Sequence, residues 1–491
     1  MAIPYFYSML KENDSECFKN GGKQCDNLYI DMNCIFHICL RDAKSEKDFK
    51  DLILAHLQMV TAAYCPHKLL YIAIDGVPPL GKLKGQALRR QSYIKSGNGI
   101  DPNALTPGTE FMNMLSQFIT KCTGSHLPKL SSNVKVIISD SNVPGEGEFK
   151  IVNHIREQDI DMKVVIYGID ADLIALSLSL KQRQVFLARQ KYKRGVTTSR
   201  SRQCEYLIVS SLKNKFLEPY SNEQKSSLNT TNILKDIVLL LILLGNDFLP
   251  KPEGLYVNSD TYYELSWFLQ RFHREENKTI IKDNRIDTDV FTKFLKKFIE
   301  FDFQTFDEST IMDQKVIDEK IISIKLAGIS ISNTEKDEEE NVKKLAQMEC
   351  FEEHKKKVYE QNLCEKYDEL ELIKQYYKGL HWVLRYYLGK CPSYDYVYPY
   401  DNAPFLSDLV KVNQDVEFVN TEPINALHQL ALVIPKKSSI LLPSRYKESE
   451  LYDQFSTVLT TSKPLLNTEI NKWIKYFQEI DSQANVIVQN V

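Results

Sequence analysis

The sequence predicts an α/β protein: a mostly parallel sheet flanked by helices, followed by a largely helical second region. Three observations carry that expectation. Short β-branched or aromatic runs alternate with helical patterns through the first half, which reads as successive βαβ units. Two of the runs, Leu69–Ile74 and Val164–Tyr167, are almost continuously apolar, as strands covered on both faces are. Beyond about residue 215 the strand patterns give way to long helical ones.

The elements follow in order. Strands are expected at Asn27–Asp31, Leu69–Asp75, Val134–Ser139, Lys163–Gly168 and Gln184–Ala188, with helical periodicity at Phe49–Ala63 and Thr109–Cys122 between them. Ile233–Leu244 is an apolar helix stopped by Gly245 and, shortly after, Pro250. The acidic stretch 333–342 (Glu335, Asp337, Glu338, Glu339, Glu340) reads as a solvated loop or flexible insert. A long helical stretch, about Met348–Leu388, is followed by the aromatic, Pro-containing segment Cys391–Pro404 and a helical, polar tail. The expected division is an α/β core over 1–255, a helical region over 256–440 and a C-terminal tail over 441–491.

Composition narrows the classes. With 62 Lys and Arg against 65 Asp and Glu the net charge is −3, which excludes a uniformly basic nucleic-acid binder but not one whose charges are sorted into patches. A 43% hydrophobic, 26% charged chain is ordinary globular composition, not a disordered chain or a coiled-coil rod. The N-terminus shows no signal-peptide pattern, Ala2 removes the myristoylation motif, and the longest apolar run, Ile237–Leu244, is too short to span a bilayer. Ten scattered Cys without a CxxC pair suggest reduced thiols in an intracellular protein.

The chemistry lies in the carboxylates. Asp31 and Asp75 end the first two strands, Glu146 and Glu148 follow the third, and Asp170 and Asp172 follow the fourth. Ligands of an open parallel sheet bind beyond the carboxyl ends of its strands, so these acids aim at one crevice, and Asp247 after the apolar helix is placed to join them. Such a cluster repels itself unless cations sit in it. Oxygen-only ligands suit Mg²⁺ or Mn²⁺, and two ions roughly 3.5–4 Å apart would clamp the oxygens of a phosphodiester during in-line hydrolysis. Any one of these acids alone reads as a helix N-cap; four strand ends in series favour metal. In Val143-Pro144-Gly145-Glu146-Gly147-Glu148 the glycines let the backbone turn tightly while both carboxylates face the ions.

Beside the acids lies a cationic segment. On a helix Lys82, Gln86, Arg89 and Arg90 fall on one face, and no acid occurs from Lys82 to Ile100. Such a face reads as a phosphate pocket, with Arg for bidentate contacts and Lys as a point charge, or as a solvated basic surface. His37, two helical turns after Asp31, could stack a base or serve only its helix. Of Tyr386, Tyr387, Tyr394, Tyr396, Tyr398 and Tyr400, most are expected in the core, although such a set could stack single-stranded bases.

These motifs resemble the XRN family of 5′→3′ exoribonucleases. The matching blocks are CDNLYIDMN (25–33), YIAIDGVPPLGKLKGQALRR (71–90), LTPGTEFM (105–112), VPGEGEFKIVNHIR (143–156), VIYGIDADLIALSLS (165–179), LLGNDFLP (243–250), GLHWVLRYYLGKCPS (379–393) and YPYDNAPFLSDL (398–409). The resemblance implies a 5′-nuclease (PIN-like) core, with the family's second conserved region at about 345–410. It implies that Asp31, Asp75, Glu146, Glu148, Asp170, Asp172 and Asp247 are the metal-site acids. It also implies that Lys82, Gln86, Arg89 and Arg90 bind a 5′-monophosphate, and that His37 stacks near the 5′-terminal bases. Three departures stand out: Ala2 replaces the family's Gly, Tyr394-Asp395-Tyr396 replaces Trp-x-Trp, and no zinc-knuckle cysteines follow Leu187. Tyr394 is expected to take the stacking Trp's place, and the long C-terminal accessory domains are expected to be missing.

The resemblance therefore implies a processive 5′→3′ exoribonuclease that degrades 5′-monophosphorylated single-stranded RNA to nucleoside 5′-monophosphates with two Mg²⁺ ions. It would be a cytoplasmic monomer acting in RNA decay, with decapping machinery as a conceivable partner and no membrane. Two rivals are a flap-type 5′ DNA nuclease and a catalytically silent RNA-binding protein of the same fold. The first lacks a Gly-x-Gly helix-hairpin-helix signature after Asp172, and the second would not need seven carboxylates near RNA phosphates. The basic stretch Lys191–Arg202 reads as a solvated or RNA-contacting loop before it reads as a nuclear signal.

Overall fold

The computed structural model describes residues 6–93, 100–125, 133–191, 203–255, 259–309, 314–326, 335–362, 368–460 and 467–489. Lys191–Arg202 lies outside the described residues from 192 onward.

Seven strands form the main sheet: β1 (Phe18–Asn20), β2 (Cys25–Asp31), β3 (Pro66–Ala73), β4 (Lys135–Ser139), β5 (Lys163–Tyr167), β6 (Gln184–Gln190) and β7 (Cys204–Ile208). Their order is β1-β7-β6-β5-β2-β3-β4. The five strands β6-β5-β2-β3-β4 are parallel, and β7 and β1 add an antiparallel edge. All five expected strands are present within a few residues of their expected ends. The edge pair was not read from sequence: β1 has three residues, too few to show a period of two.

Register explains why one end of this sheet is a site. Asp31 pairs with Ala73, Ala73 with Ser139, and Ile30 with Tyr167. The four strands therefore finish at one level. The chain first builds outward from β2 through β3 to β4, then crosses to β5 on the other side of β2. The order reverses between β2 and β5, and an open α/β sheet has its ligand crevice at such a switch point.

Helices cover both faces. Met32–Asp42, Glu46–Tyr64 and Glu110–Ser125 bury one side of the sheet. Gly147–Arg156, Asp172–Leu178 and Thr230–Leu244 bury the other, and the helical region packs onto these in one continuous core that joins Tyr29 and Phe149 to Trp382 and Tyr386. Thr230–Leu244 is buried from Ile233 to Leu244 except for Lys235, as an all-apolar helix inside a protein is. Its one buried charge, Asp236, accepts from the Ile280 and Ile281 amides (2.8 Å each) and bonds to His273 Nε2 (2.8 Å). Among the described residues no single helix is long and apolar enough to cross a membrane, and the nine described cysteines are all free.

Two expectations need correction. The acidic stretch is helical from Glu335, the first residue of the helix Glu335–Asn362, while 333 and 334 lie outside the described residues. Its acids occupy the first turns, where the helix dipole favours them, and Glu and Lys are good helix formers. The stretch Met348–Leu388 is two helices, Glu335–Asn362 and Glu369–Leu388, the second capped by Asp368, whose side chain accepts from the Leu370 amide.

The C-terminal segment forms a third core. Leu430–Ile434, Tyr446, Phe455, Trp473 and Phe477 pack with Leu80, Leu83 and Ala87. Residues far apart in sequence thus support the cationic helix Leu83–Ser92 from behind.

Candidate active site

Asp31 ends β2 and caps the helix Met32–Asp42, accepting from the Asn33 amide (3.0 Å). The Asn33 side chain accepts in turn from the Asp75 amide (3.0 Å), fixing the end of the neighbouring strand. The Gly-Glu turn is tied to that strand end: Gly76 donates to the Gly145 carbonyl (2.9 Å), and Gly145 donates to Val77 (2.8 Å). Gly145 has φ +98°, which favours glycine. Gly147 donates to Asp75 Oδ1 (2.7 Å), and a Cβ there would lie 2.8 Å from Asp31 Oδ1. Close approach is the reason for the second glycine. Glu146 stands at the N-cap position of the helix Gly147–Arg156 without a side-chain capping bond, Glu148 sits in its first turn, and both are buried.

The structure brings the acids together. Carboxylate oxygens of Asp31, Glu148 and Asp170 lie within 4.8 Å of one another, Asp170 at the exposed side. Glu146 Oε2 and Asp172 Oδ1 are buried with no hydrogen-bond partner. Burial, then the charges of Asp75 and Asp170, holds Asp31 well above the usual carboxylate range. Burial and Glu146 do the same to Glu148, and burial pushes Asp172 up to about 6. Crowded, buried carboxyls with orphaned oxygens fit hard divalent cations. Asp31, Glu148 and Asp170 are the residues best placed to hold one.

Lys82 lies deeper than a purely phosphate-facing role would place it. Its Nζ pairs with Glu146 and, at 2.5 Å, with Asp247, and all three side chains are mostly buried. Burial works to lower its pKa, but Glu146, Glu148 and Asp172 outweigh that and keep it protonated. Lys82 is thus a fixed cation at the junction of acid cluster and cationic helix. Asp247 reaches it from a loop held by Asn246, whose Oδ1 accepts from Phe248 (2.9 Å) and Leu249 (2.8 Å).

A cleft of about 630 Å³ opens beside Lys82, lined also by Gln86, Arg89, Asp247, Phe248 and Tyr398. Lys82, Gln86 and Arg89 therefore share one face. Arg90 does not line the cleft: it is buried, its Nε donates to Thr106 Oγ1 (2.9 Å), and its Nη1 has no partner. Burial and Arg89 push Arg90 down to about 10, still charged at neutral pH. His37 is exposed on its helix, close enough to Arg89 and Arg90 to feel their charge, and does not line the cleft.

The helical region completes the wall. Phe149, next to Glu148, stacks on Tyr386 (3.8 Å between centroids), and Phe248, next to Asp247, packs on Trp382 (5.0 Å). The two replaced aromatics differ in position. Tyr396 is buried and stacks on Trp382 (5.5 Å). Tyr394 is half-buried, with its hydroxyl 3.8 Å from where a Cβ of Gly145 would lie. Tyr386, Tyr387 and Tyr398 are buried like Tyr396.

Sequence reading missed Asn33, Asn246 and Lys150. Lys150 Nζ donates to the carbonyls of Ile74 (2.7 Å) and Asp140 (2.8 Å), joining two strand ends beneath the acids. All three sit inside the motifs that were singled out, and adjacency to the acids was the available signal.

A mostly parallel sheet thus gathers carboxylates at its switch point beside a cationic helix, with helices on both faces. The chain belongs to the XRN family: the profile "XRN 5'-3' exonuclease N-terminus" matches residues 1–98 and 91–191, and "Xrn1 helical domain" matches 312–471. It is 26% identical to 5'-3' exoribonuclease 1 of Saccharomyces cerevisiae over 93% of its length and 40% of that protein. It is 26% identical to 5'-3' exoribonuclease 1 of Homo sapiens over 96% of its length and 32% of that protein. The chain thus spans two fifths or less of these relatives. Among solved structures, the catalytic core of Rad2 in complex with DNA substrate is similar at 11% identity and a TM-score of 0.35, over 70% of this chain and 85% of that one.

Proposed function

We propose that the protein is a processive 5′→3′ exoribonuclease that hydrolyses 5′-monophosphorylated single-stranded RNA to nucleoside 5′-monophosphates. One observation carries the reading: Lys82 joins the acid cluster to a cleft lined by Gln86 and Arg89. A terminal phosphate held in that cleft would present the first phosphodiester to the acids. The relatives' shared description as 5'-3' exoribonucleases supports the same assignment.

Asp31, Glu148 and Asp170 would hold the first of two Mg²⁺ ions (Mn²⁺ has the same ligand preference), with Asp75, Glu146, Asp172 and Asp247 available to the second. Ions bound there supply water activation and neutralisation of charge at the leaving oxygen. The chain's own residues bind and orient. Gln86 and Arg89 donate to the terminal phosphate, with Arg90 behind them. Lys82 pairs with Glu146 and Asp247, and Asn33 and Gly147 fix the carboxylates of Asp31 and Asp75. His37 and Tyr394 would stack the leading bases. In the cell the reading is a cytoplasmic monomer in RNA decay, receiving 5′-monophosphate ends from a decapping activity.

Cleavage of a 5′-flap DNA compared with a 5′-phosphorylated single-stranded RNA, each with Mg²⁺, tests the assignment. Release of mononucleotides from the RNA and little cutting of the flap is expected. Preferential endonucleolytic cutting of the flap would replace this reading with a DNA nuclease, and inactivity on both would favour a silent binding protein.

A further inference from the structure

Gln86 lines the cleft and is buried, and its Oε1 accepts a hydrogen bond from Nε2 of Gln429 (3.2 Å). A primary amide has one accepting end and one donating end. With Oε1 occupied, the NH₂ group is what Gln86 can turn to a ligand, and an ionised phosphate oxygen accepts such a donor. Gln429 lies in the helix Ala426–Val433 and is 0% exposed. It belongs to the C-terminal core, 343 residues away in sequence.

Two further residues of the same segment, Lys437 directly and Ser438 through Asn103, brace the cationic helix. Lys437 Nζ donates to the carbonyl of Gln91 (2.6 Å) and to that of Tyr93, at the helix end where a cation is favourable. Asn103 Nδ2 donates to Ser438 Oγ (2.9 Å) and meets the Arg90 carbonyl (3.4 Å). The segment therefore sets both the helix and the direction of its one amide side chain in the cleft.

We propose that Gln429 is a positioning residue for 5′-phosphate recognition: by occupying Gln86 Oε1 it leaves the Gln86 NH₂ group to face the cleft as a donor. This rests on reading the cleft as the 5′-phosphate pocket. Gln429→Met keeps the volume and removes the donor. Gln429→Glu sets an acceptor against Gln86, which turns that amide around and points its oxygen at the phosphate.

The test measures kcat and KM of the full chain with Mg²⁺ on 5′-monophosphate and 5′-hydroxyl RNAs of one sequence. Gln429→Met should lower the preference for the monophosphate about tenfold, through KM, the scale of one hydrogen bond to a charged group. Gln429→Glu should lower it further. Gln86→Ala alone should match the loss, and neither Gln429 change should add to it. A merely structural role would reduce both substrates alike and would persist in the Gln86→Ala background. An unchanged preference in both Gln429 variants, with the wild-type preference intact, overturns the proposal. A wild type that does not distinguish the two RNAs overturns the phosphate reading beneath it.

Discussion

Asp172 shows at single-residue scale how the site is poised. One of its oxygens is buried without a partner, and burial raises its pKa from 3.8 to about 6. On the proposed metal reading, Asp172→Asn should lower single-turnover cleavage by about ten- to a hundredfold, by analogy with the effect of outer-shell ligand partners. Anisotropy should show 5′-phosphorylated RNA still bound; unchanged turnover would remove Asp172 from the site. The same residue predicts a pH dependence. A carboxyl whose folded pKa is raised contributes stability that is present below its unfolded pKa and lost as pH rises through the folded one. Without divalent ions the wild type should therefore lose stability between about pH 4 and pH 7, by at most about 3 kcal/mol from this group. The neutral Asn variant should be the more stable protein at pH 8, with the difference shrinking toward pH 4. Melting curves across that range, with and without Mg²⁺, decide it, and Mg²⁺ should stabilise the wild type more as pH rises.

At the scale of the element, the turn into the helix Gly147–Arg156 sets the spacing of the acids. Gly147→Ala would place a methyl 2.8 Å from Asp31 Oδ1, so the carboxylates must separate. Activity should fall about tenfold or more, since small displacements of reacting groups are expensive. Melting temperature should change little, because alanine's helix preference over glycine, up to about 1 kcal/mol, offsets the crowding; a fully active variant would show that the close approach is not needed. Elements differ in how far they could be read from sequence. β2, β3 and β5 were legible because strands buried on both faces leave nearly unbroken apolar runs. The edge strand β7 is five residues long and β1 three, too little pattern to recognise. The acidic helix Glu335–Asn362 was misread because charge alone does not separate a solvated loop from a solvated helix. The acids were legible because strand ends repeat in sequence. Lys82's pairing with Asp247 and Gln429's with Gln86 were not, since both are made across distant segments.

On the scale of the whole molecule, the acid cluster and the cationic helix are held by parts that lie far apart in the chain. The helix Glu369–Leu388 clamps the acid turn through Phe149 and Tyr386, and the C-terminal core supports the cationic helix. Phe477 is fully buried in that core. Phe477→Ala should cost about 3–5 kcal/mol and raise KM for 5′-monophosphate RNA more than it lowers kcat. Denaturant melts with steady-state kinetics measure this, and an unaltered KM at that loss of stability would uncouple the C-terminal segment from the cleft. The net charge of −3 conceals a local cluster of buried carboxyls beside a cationic helix, so its small size says little about what the protein binds. The most direct measurement offers the protein the same single-stranded RNA with a 5′-monophosphate or a 5′-triphosphate, with Mg²⁺, and resolves the products over time. Rapid release of nucleoside 5′-monophosphates from the first RNA and little from the second is the predicted result; equal degradation of both, or oligonucleotide products, would contradict the account.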